Sequence, residues 1–364
     1  MQFGQQQGEA LAAIERWLNT RGAPQVFRLF GYAGVGKTTI ARHIAGMVSG
    51  RVLYACYTNK AALVLRKKGC YAASTIHGLI YKVSDDKEDG EPQFILNPES
   101  PLRGAGLLVI DEVSMVGDEL AADLLSFGTR VLTLGDPAQL PPVKGTGYFT
   151  AAEPDFMLTE IHRQALDNPI ISLSMRIREG ERLDFGAYGD SKIIRRKELQ
   201  PGEILAADQV LCGLNNTRRG LNARFREHYG RTLEWPHPGD RLVCLKNDRE
   251  RQLYNGTLWD VETSKFAADI ADVKVRAFDS DVPVVVDAMA PIQYFRGTEQ
   301  TMKWYERRQY DAFDYGYALT CHKAQGSQYD HVMVFDESAA FREDRKRWLY
   351  TAVTRAAEKV TVVV

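Results

Sequence analysis

The 364-residue chain lacks several signals that would settle its class at once. It holds no run of about 18 apolar residues, so no membrane-spanning helix is expected. Its five cysteines, Cys56, Cys70, Cys212, Cys244 and Cys321, form no C-x-x-C pair. An odd, scattered set argues against a disulfide frame or a zinc site and for buried free thiols in a reducing cytoplasm. Net positive charge is missing too: 46 Lys and Arg stand against 47 Asp and Glu, a formal charge of −1. Without an overall basic field, any nucleic-acid binding must use a local groove. The start, MQFGQQQGEA, has neither the basic residues nor the apolar stretch of a secretory signal, so a cytoplasmic protein is expected. No short-period repeat and no low-complexity tract occurs.

What is present is an ordinary globular composition, 45% hydrophobic and 26% charged, long enough for two or three domains. In the first half strand-like runs (VFRLF, VLYACYT, GLLVIDE, RVLTLGD) alternate with helical stretches such as KTTIARHIAGMV and NKAALVLRKKG. That alternation predicts α/β architecture with a parallel sheet covered by helices on both faces. Between Ile80 and Arg103 the rhythm fails, and two short strands around a polar turn at Asp85–Pro92 predict an inserted hairpin. Alternation resumes from about Phe156. A strand-rich block at 239–287 predicts a small β subdomain, with TMKWYERR as a short helix beside it. The expected domains are 1–152 with a hairpin at about 81–102, then 153–238 with 312–364, and an inserted β-rich subdomain at 239–311.

Gly31-x-x-x-x-Gly36-Lys37-Thr38 matches the P-loop pattern between a strand and a helix. Glycines let backbone N–H groups approach phosphate, and the helix start adds a positive dipole end. Gly34, Val35, Gly36, Lys37, Thr38 and Thr39 are the candidate phosphate cradle, with Lys37 reaching the β- and γ-phosphates and Thr38 holding Mg²⁺. LLVIDE delivers Asp111 and Glu112 to the carboxyl end of a buried strand, where such folds bind ligands. Asp111 then supports Mg²⁺ and Glu112 acts as general base toward water. LGDPAQLPPV (134–143) sets Gln139 after a tight turn, where an amide can contact γ-phosphate and water. Together these segments indicate ATP hydrolysis.

The order P-loop, IDE, GDPAQLPPV, LTEIHRQ (158–164), YALTCHKAQGS (317–327) and YTAVTRA (350–356) resembles superfamily 1 helicases, and within them the RecD/Dda-like 5′-to-3′ group. The resemblance implies two RecA-like domains, an SH3-like β subdomain, ATP between the two domains, and single-stranded and forked duplex DNA as partners. It implies that Gln7 reads adenine, that Gly326 lies near the nucleotide, and that Arg163 and Arg355 reach the γ-phosphate. A guanidinium there would stabilise charge spread over the phosphoryl oxygens. It further implies DNA contacts by Thr58, Asn59, Thr75 and His77, by Thr320, His322 and Lys323, and by Asn215, Asn216 and Arg218. For Arg224 and Arg226 a solvated helix face is expected. Phe94, near the hairpin tip, either stacks on the first unpaired base or makes a core contact. A compact monomer of bacterial or phage origin, meeting a single-strand-binding protein or replication, repair or recombination proteins, is in keeping with this reading.

Three functions remain open at this level: a DNA helicase, a translocase that separates no duplex, and a nucleotide-switched binding subunit. A water-activating Glu112 speaks against the last, since a pure binder has no use for one. No feature senses a sugar 2′ position, so RNA also stays open.

Overall fold

The computed structural model describes residues 3–83, 94–141, 147–160, 167–248, 250–278 and 284–364. The chain forms two compact units, one of residues 1–191 and 342–354, the other of residues 192–341 and 355–364. These units run across the boundary expected at 152/153. The reason is that the FMLTEI strand pairs into the first sheet instead of opening the second.

Strands of the first unit are β1 (Val26–Gly31), β2 (Val52–Cys56), β3 (Ser74–Thr75), β4 (Tyr81–Val83), β5 (Phe94–Leu96), β6 (Leu107–Asp111), β7 (Val131–Gly135), β8 (Phe156–Leu158) and β9 (Gly186–Tyr188). Six of them make one parallel sheet in the order β3-β2-β6-β7-β1-β8. Side chains alternate across a strand, so β6 feeds two cores at once. Leu108 and Ile110 join Phe30 and Val131 on one face; Leu107 and Val109 join Leu29 and Leu132 on the other. All four β6 side chains are at most 1% exposed, and burying each stabilises by about 1.5–3 kcal/mol.

Helices Gln5–Asn19 and Lys37–Ala45 cover the second face through Ala10, Ile14, Trp17, Ile40, Ala41 and Ile44. Helices Ile76–Ile80 and Asp118–Leu125 cover the first through Ile76, Leu79, Leu120 and Leu124. The i, i+3, i+4, i+7 spacing of these apolar residues makes one stripe on each long helix. β4 and β5 form the expected hairpin, with Val83 opposite Phe94. Its expected tip at Asp85–Pro92 lies outside the described residues.

Strands that follow are β10 (Ser191–Ile194), β11 (Gln209–Cys212), β12 (Arg241–Cys244), β13 (Leu258–Ala267), β14 (Ile270–Ala277), β15 (Val285–Pro291), β16 (Phe313–Tyr315), β17 (Ala318–Thr320), β18 (Tyr329–Phe335) and β19 (Ala356–Val363). In the second unit β17-β11-β18-β19-β10 is parallel throughout. The strand-rich block folds as an antiparallel sheet, β15-β14-β13-β12-β16, around Trp259, Val273, Val275 and Phe313. All five cysteines are free and buried. Among the described residues no helix is long and apolar enough to cross a membrane.

Candidate active site

The P-loop begins where β1 ends. A Cβ on Gly31 would lie 2.7 Å from Val35 Cγ2 and 2.8 Å from Leu158 Cβ, so no side chain fits beneath the loop. Gly36 takes φ +86° as the residue before the Lys37–Ala45 helix, and Gly34 takes φ +82°. Both lie in the left-handed region that glycine adopts without strain. This conformation leaves the first-turn N–H groups of the helix, at Lys37, Thr38 and Thr39, without intrahelical acceptors and free for an anion. Lys37 Nζ donates to the carbonyls of Gly31 (2.5 Å) and Tyr32 (2.9 Å), which holds its charge over the loop. From the first helix, Gln7 Nε2 donates to Val35 O at 3.0 Å, and Gln7 Oε1 accepts from Gly4 N at 3.2 Å. Gln7 is only 7% exposed and braces the loop.

β6 lies two strands from β1 and delivers Asp111 to the same edge of the sheet. Thr38 Oγ1 donates to Asp111 Oδ2 at 3.2 Å, and the Glu112 N–H donates to Asp111 Oδ1 at 2.9 Å. Burial, then the Glu112 charge beside it, push the Asp111 carboxyl above its ordinary range; Lys37 pulls the other way. Glu112 itself sits at φ 55°, ψ 47°, a left-handed backbone that is costly for a non-glycine residue. A hydroxyl and a carboxylate at this distance, below a lysine, can share a hard divalent cation with phosphate oxygens and water.

β7 ends in the GDPAQ turn. Asp136 is 5% exposed, and burial pushes its carboxyl up against the opposing pull of Lys37. Its Oδ1 accepts from the Ala138 N–H at 3.0 Å. Its Oδ2 accepts from the Tyr350 hydroxyl at 2.8 Å. The same hydroxyl accepts from the Ala33 N–H at 2.9 Å, so one phenol ties the P-loop to the GDPAQ turn. Gln139 stands three residues on, its side-chain oxygen buried and lacking a hydrogen-bond donor among the described residues.

Tyr350 and a second residue, Arg178, escaped the reading of the sequence. The Arg178 guanidinium lies 3.7 Å from the centroid of the Tyr32 ring, bringing a cation to the P-loop from the Pro169–Glu179 helix. Neither carries a local signal. Tyr350 belongs to YTAVTRA, and its partners lie more than 200 positions away in the chain.

The candidate nucleic-acid contacts of the first unit sit at neighbouring strand ends. Thr58 lies just beyond β2 and Thr75 ends its neighbour β3, and both cap helices: their hydroxyls accept from Ala61 N and Gly78 N, each at 3.1 Å. Asn59 opens the first of those helices. His77 is exposed and lies between the rings of Tyr57 (6.0 Å) and Tyr81 (5.6 Å). Phe94 is 69% exposed, which removes the core contact as an alternative for it.

In the second unit Thr320 ends β17, and its hydroxyl accepts from Lys323 N at 3.3 Å. His322 packs near Phe341, at 5.7 Å between rings. Burial, then the neighbouring Arg218 charge, push the Lys323 ammonium below its ordinary range. Asn215 and Asn216 are exposed at the start of the Asn215–His228 helix, while Arg218 donates to Asp314 at 2.6 Å in a largely buried pair. Gly326 turns the 321–327 loop with φ +72°, and Arg355 donates to Ser327 O of that loop at 3.3 Å. Arg224 is solvent-exposed as expected, but Arg226 is not. It is 7% exposed, 3.2 Å from Asp240 and 4.2 Å over the Tyr315 ring, because it faces the β subdomain and needs a counter-charge there. Arg163 lies outside the described residues.

Residues 4–198 match a family model described as an AAA domain, and residues 315–363 match the UvrD-like helicase C-terminal domain. The chain is 32% identical over 362 residues to the ATP-dependent RecD2 DNA helicase of Deinococcus radiodurans, covering 91% of this chain and 46% of that protein. It is 27% identical over 390 residues to the conjugal transfer protein TraA of Rhizobium radiobacter, covering 96% of this chain and 32% of TraA. It thus spans about half the length, or less, of these curated relatives. Bacteroides Pif1 helicase, solved with ADP-AlF3 and ssDNA, shares the fold at a TM-score of 0.57 and 18% identity, covering 99% of this chain and 92% of that one. With the P-loop, the β6 carboxylates and the two parallel sheets, these matches make the chain a member of the superfamily 1 helicases, built from an AAA domain and a UvrD-like helicase C-terminal domain.

Proposed function

We propose that this chain is an ATP-dependent DNA helicase that moves 5′ to 3′ on single strands and opens forked duplex. One observation carries the reading: Lys37, Thr38, Asp111 and Glu112 gather at the carboxyl edge of one parallel sheet, over a glycine loop that admits no side chain. Thr38 and Asp111 fit a Mg²⁺ ion, and the unsatisfied Gln139 oxygen fits a polar group arriving beside it. Mg²⁺ supplies neutralisation of phosphate charge.

In this reading the N–H groups at Val35–Thr39 and the Lys37 ammonium bind phosphate oxygens. Gln7 contacts adenine while bracing the loop, and Gly326 lets the 321–327 loop come close to the nucleotide. Glu112 accepts the proton of the attacking water, which Gln139 orients. Arg163 and Arg355 stabilise charge on the transferring phosphoryl group. Thr58, Asn59, Thr75, His77, Asn215, Asn216, Arg218, Thr320, His322 and Lys323 bind the strand through phosphates and bases. The exposed Phe94 favours strand separation over bare translocation, because an aromatic at a hairpin can cap the first unpaired base. The protein works as a monomer in the cytoplasm of a bacterial or phage-infected cell, alongside single-strand-binding, replication or recombination proteins. Turnover of ATP with and without a single-stranded oligonucleotide tests the reading: stimulation is expected, and a rate indifferent to DNA refutes it.

A further inference from the structure

The Asn215–His228 helix has two faces of different character. On one, Asn222 donates to Tyr315 O and Ala318 O, and Arg218 and Arg226 are paired with Asp314 and Asp240. That face is satisfied. The other borders a groove of about 620 Å³, inside the size range of sites that bury most of a ligand.

The floor of the groove is apolar. Leu221 and Phe225 come from the helix, Leu199, Ile204 and Leu205 from the segment before β11, and Phe335 from the end of β18. The rim carries two cations, the exposed Arg196 and Arg224, beside His228, and no carboxylate lines the groove among the described residues. Arg196 leans over the Phe335 ring at 5.6 Å, so its charge stands directly above the floor. A chain of net charge −1 has here a local surplus of positive groups around aliphatic and aromatic surface. Single-stranded DNA is a poorer match. Its recognition uses exposed aromatic faces and rows of phosphate donors, whereas this floor is largely aliphatic and its two rings are at most 7% exposed.

We propose that this groove docks an acidic segment of a partner protein, with large apolar side chains on the floor and carboxylates on Arg196 and Arg224. A helix backed by such a floor suits an amphipathic peptide read at alternate or helical spacing. The groove lies within one unit and uses none of the residues assigned above to nucleotide or DNA, so the proposal stands apart from the helicase reading.

Gly220 offers a clean block. It is exposed at the groove, and a Cβ built on it meets nothing within 4 Å, so Gly220→Phe begins in open space and adds a ring beside the groove. Arg224→Glu reverses the rim charge. The probes are fluorescein-labelled peptides of mixed Glu, Leu and Phe, the same peptides with Lys in place of Glu, and an oligo-dT of similar length, each followed by anisotropy. Saturable binding of the acidic peptides is expected, weakened about tenfold or more by either variant, with melting curves like the parent's. Equal binding of acidic and basic peptides, or no saturation by any acidic peptide, overturns the proposal. Displacement of the peptide by oligo-dT, with both losing affinity in Arg224→Glu, overturns it in favour of nucleic acid.

Discussion

Replacing Tyr350 by phenylalanine removes a single oxygen and keeps the ring that fills the site. Tyr350 is 1% exposed, and its hydroxyl serves Asp136 and Ala33 together. A hydrogen bond to an ionised carboxylate contributes about 1.5–3 kcal/mol, and the neutral bond from Ala33 about 0.5–1.5. The Ala33 N–H is half-buried and can recover water, whereas Asp136 cannot, so most of the loss comes from the carboxylate. We expect Tyr350→Phe to cost roughly 2–3 kcal/mol at neutral pH. The pH dependence has a definite sign. Burial already raises the Asp136 carboxyl above its unfolded value, and the Tyr350 hydroxyl and Lys37 hold it down. Removing the hydroxyl raises it further, so the native state binds its proton over a wider range than the unfolded chain does. Stability is then lost as pH rises through the folded value. The deficit of the variant should be small in acid, where Asp136 is protonated in both states, and largest near neutrality. Urea unfolding at a series of pH values, with hydrogen exchange at the P-loop amides, measures this. A variant within about 0.5 kcal/mol of the parent at neutral pH, or a deficit that ignores pH, would refute the reasoning.

Glu112→Gln should lower ATP turnover by about 10²–10⁴ while nucleotide binding, followed with a fluorescent analogue, stays near the parent's. Phe94→Ala should leave DNA-stimulated turnover intact and slow fork opening, consistent with about 1–3 kcal/mol of lost stacking; equal unwinding rates would deny the wedge role. Asp240→Ala should be severe. Asp240 is 0% exposed, pairs with Arg226 and Arg231, and accepts from the Tyr317 hydroxyl and the His237 N–H. Stranding those donors should cost about 3–5 kcal/mol in thermal or urea unfolding.

Legibility in the sequence followed the range of the interactions. The P-loop was readable because Gly31, Gly36, Lys37 and Thr38 act within one turn, and each residue type has a local reason. β6 was readable because a strand buried on both faces is apolar at every position until Asp111. The β4–β5 hairpin showed itself by breaking the strand–helix rhythm. Less local features did not show. SKII at 191–194 is too short to stand out as a strand, yet it pairs with β19. Arg226 looked solvated in a helix rich in arginines, and only the fold brings Asp240 to it. The Tyr350 bridge joins three segments that nothing in the sequence marks as neighbours. β8 continues the first sheet through pairing with β1, a choice of partner that no strand announces.

The central claim is that ATP turnover at the Lys37–Asp111 site drives this chain along a single strand into a duplex. A strand-displacement assay on forks carrying only a 5′ tail or only a 3′ tail, with parent and Glu112→Gln proteins, tests it most directly. The account predicts ATP-dependent opening of the 5′-tailed fork by the parent alone. Opening from the 3′ tail, or opening by Glu112→Gln at the parent's rate, would contradict it.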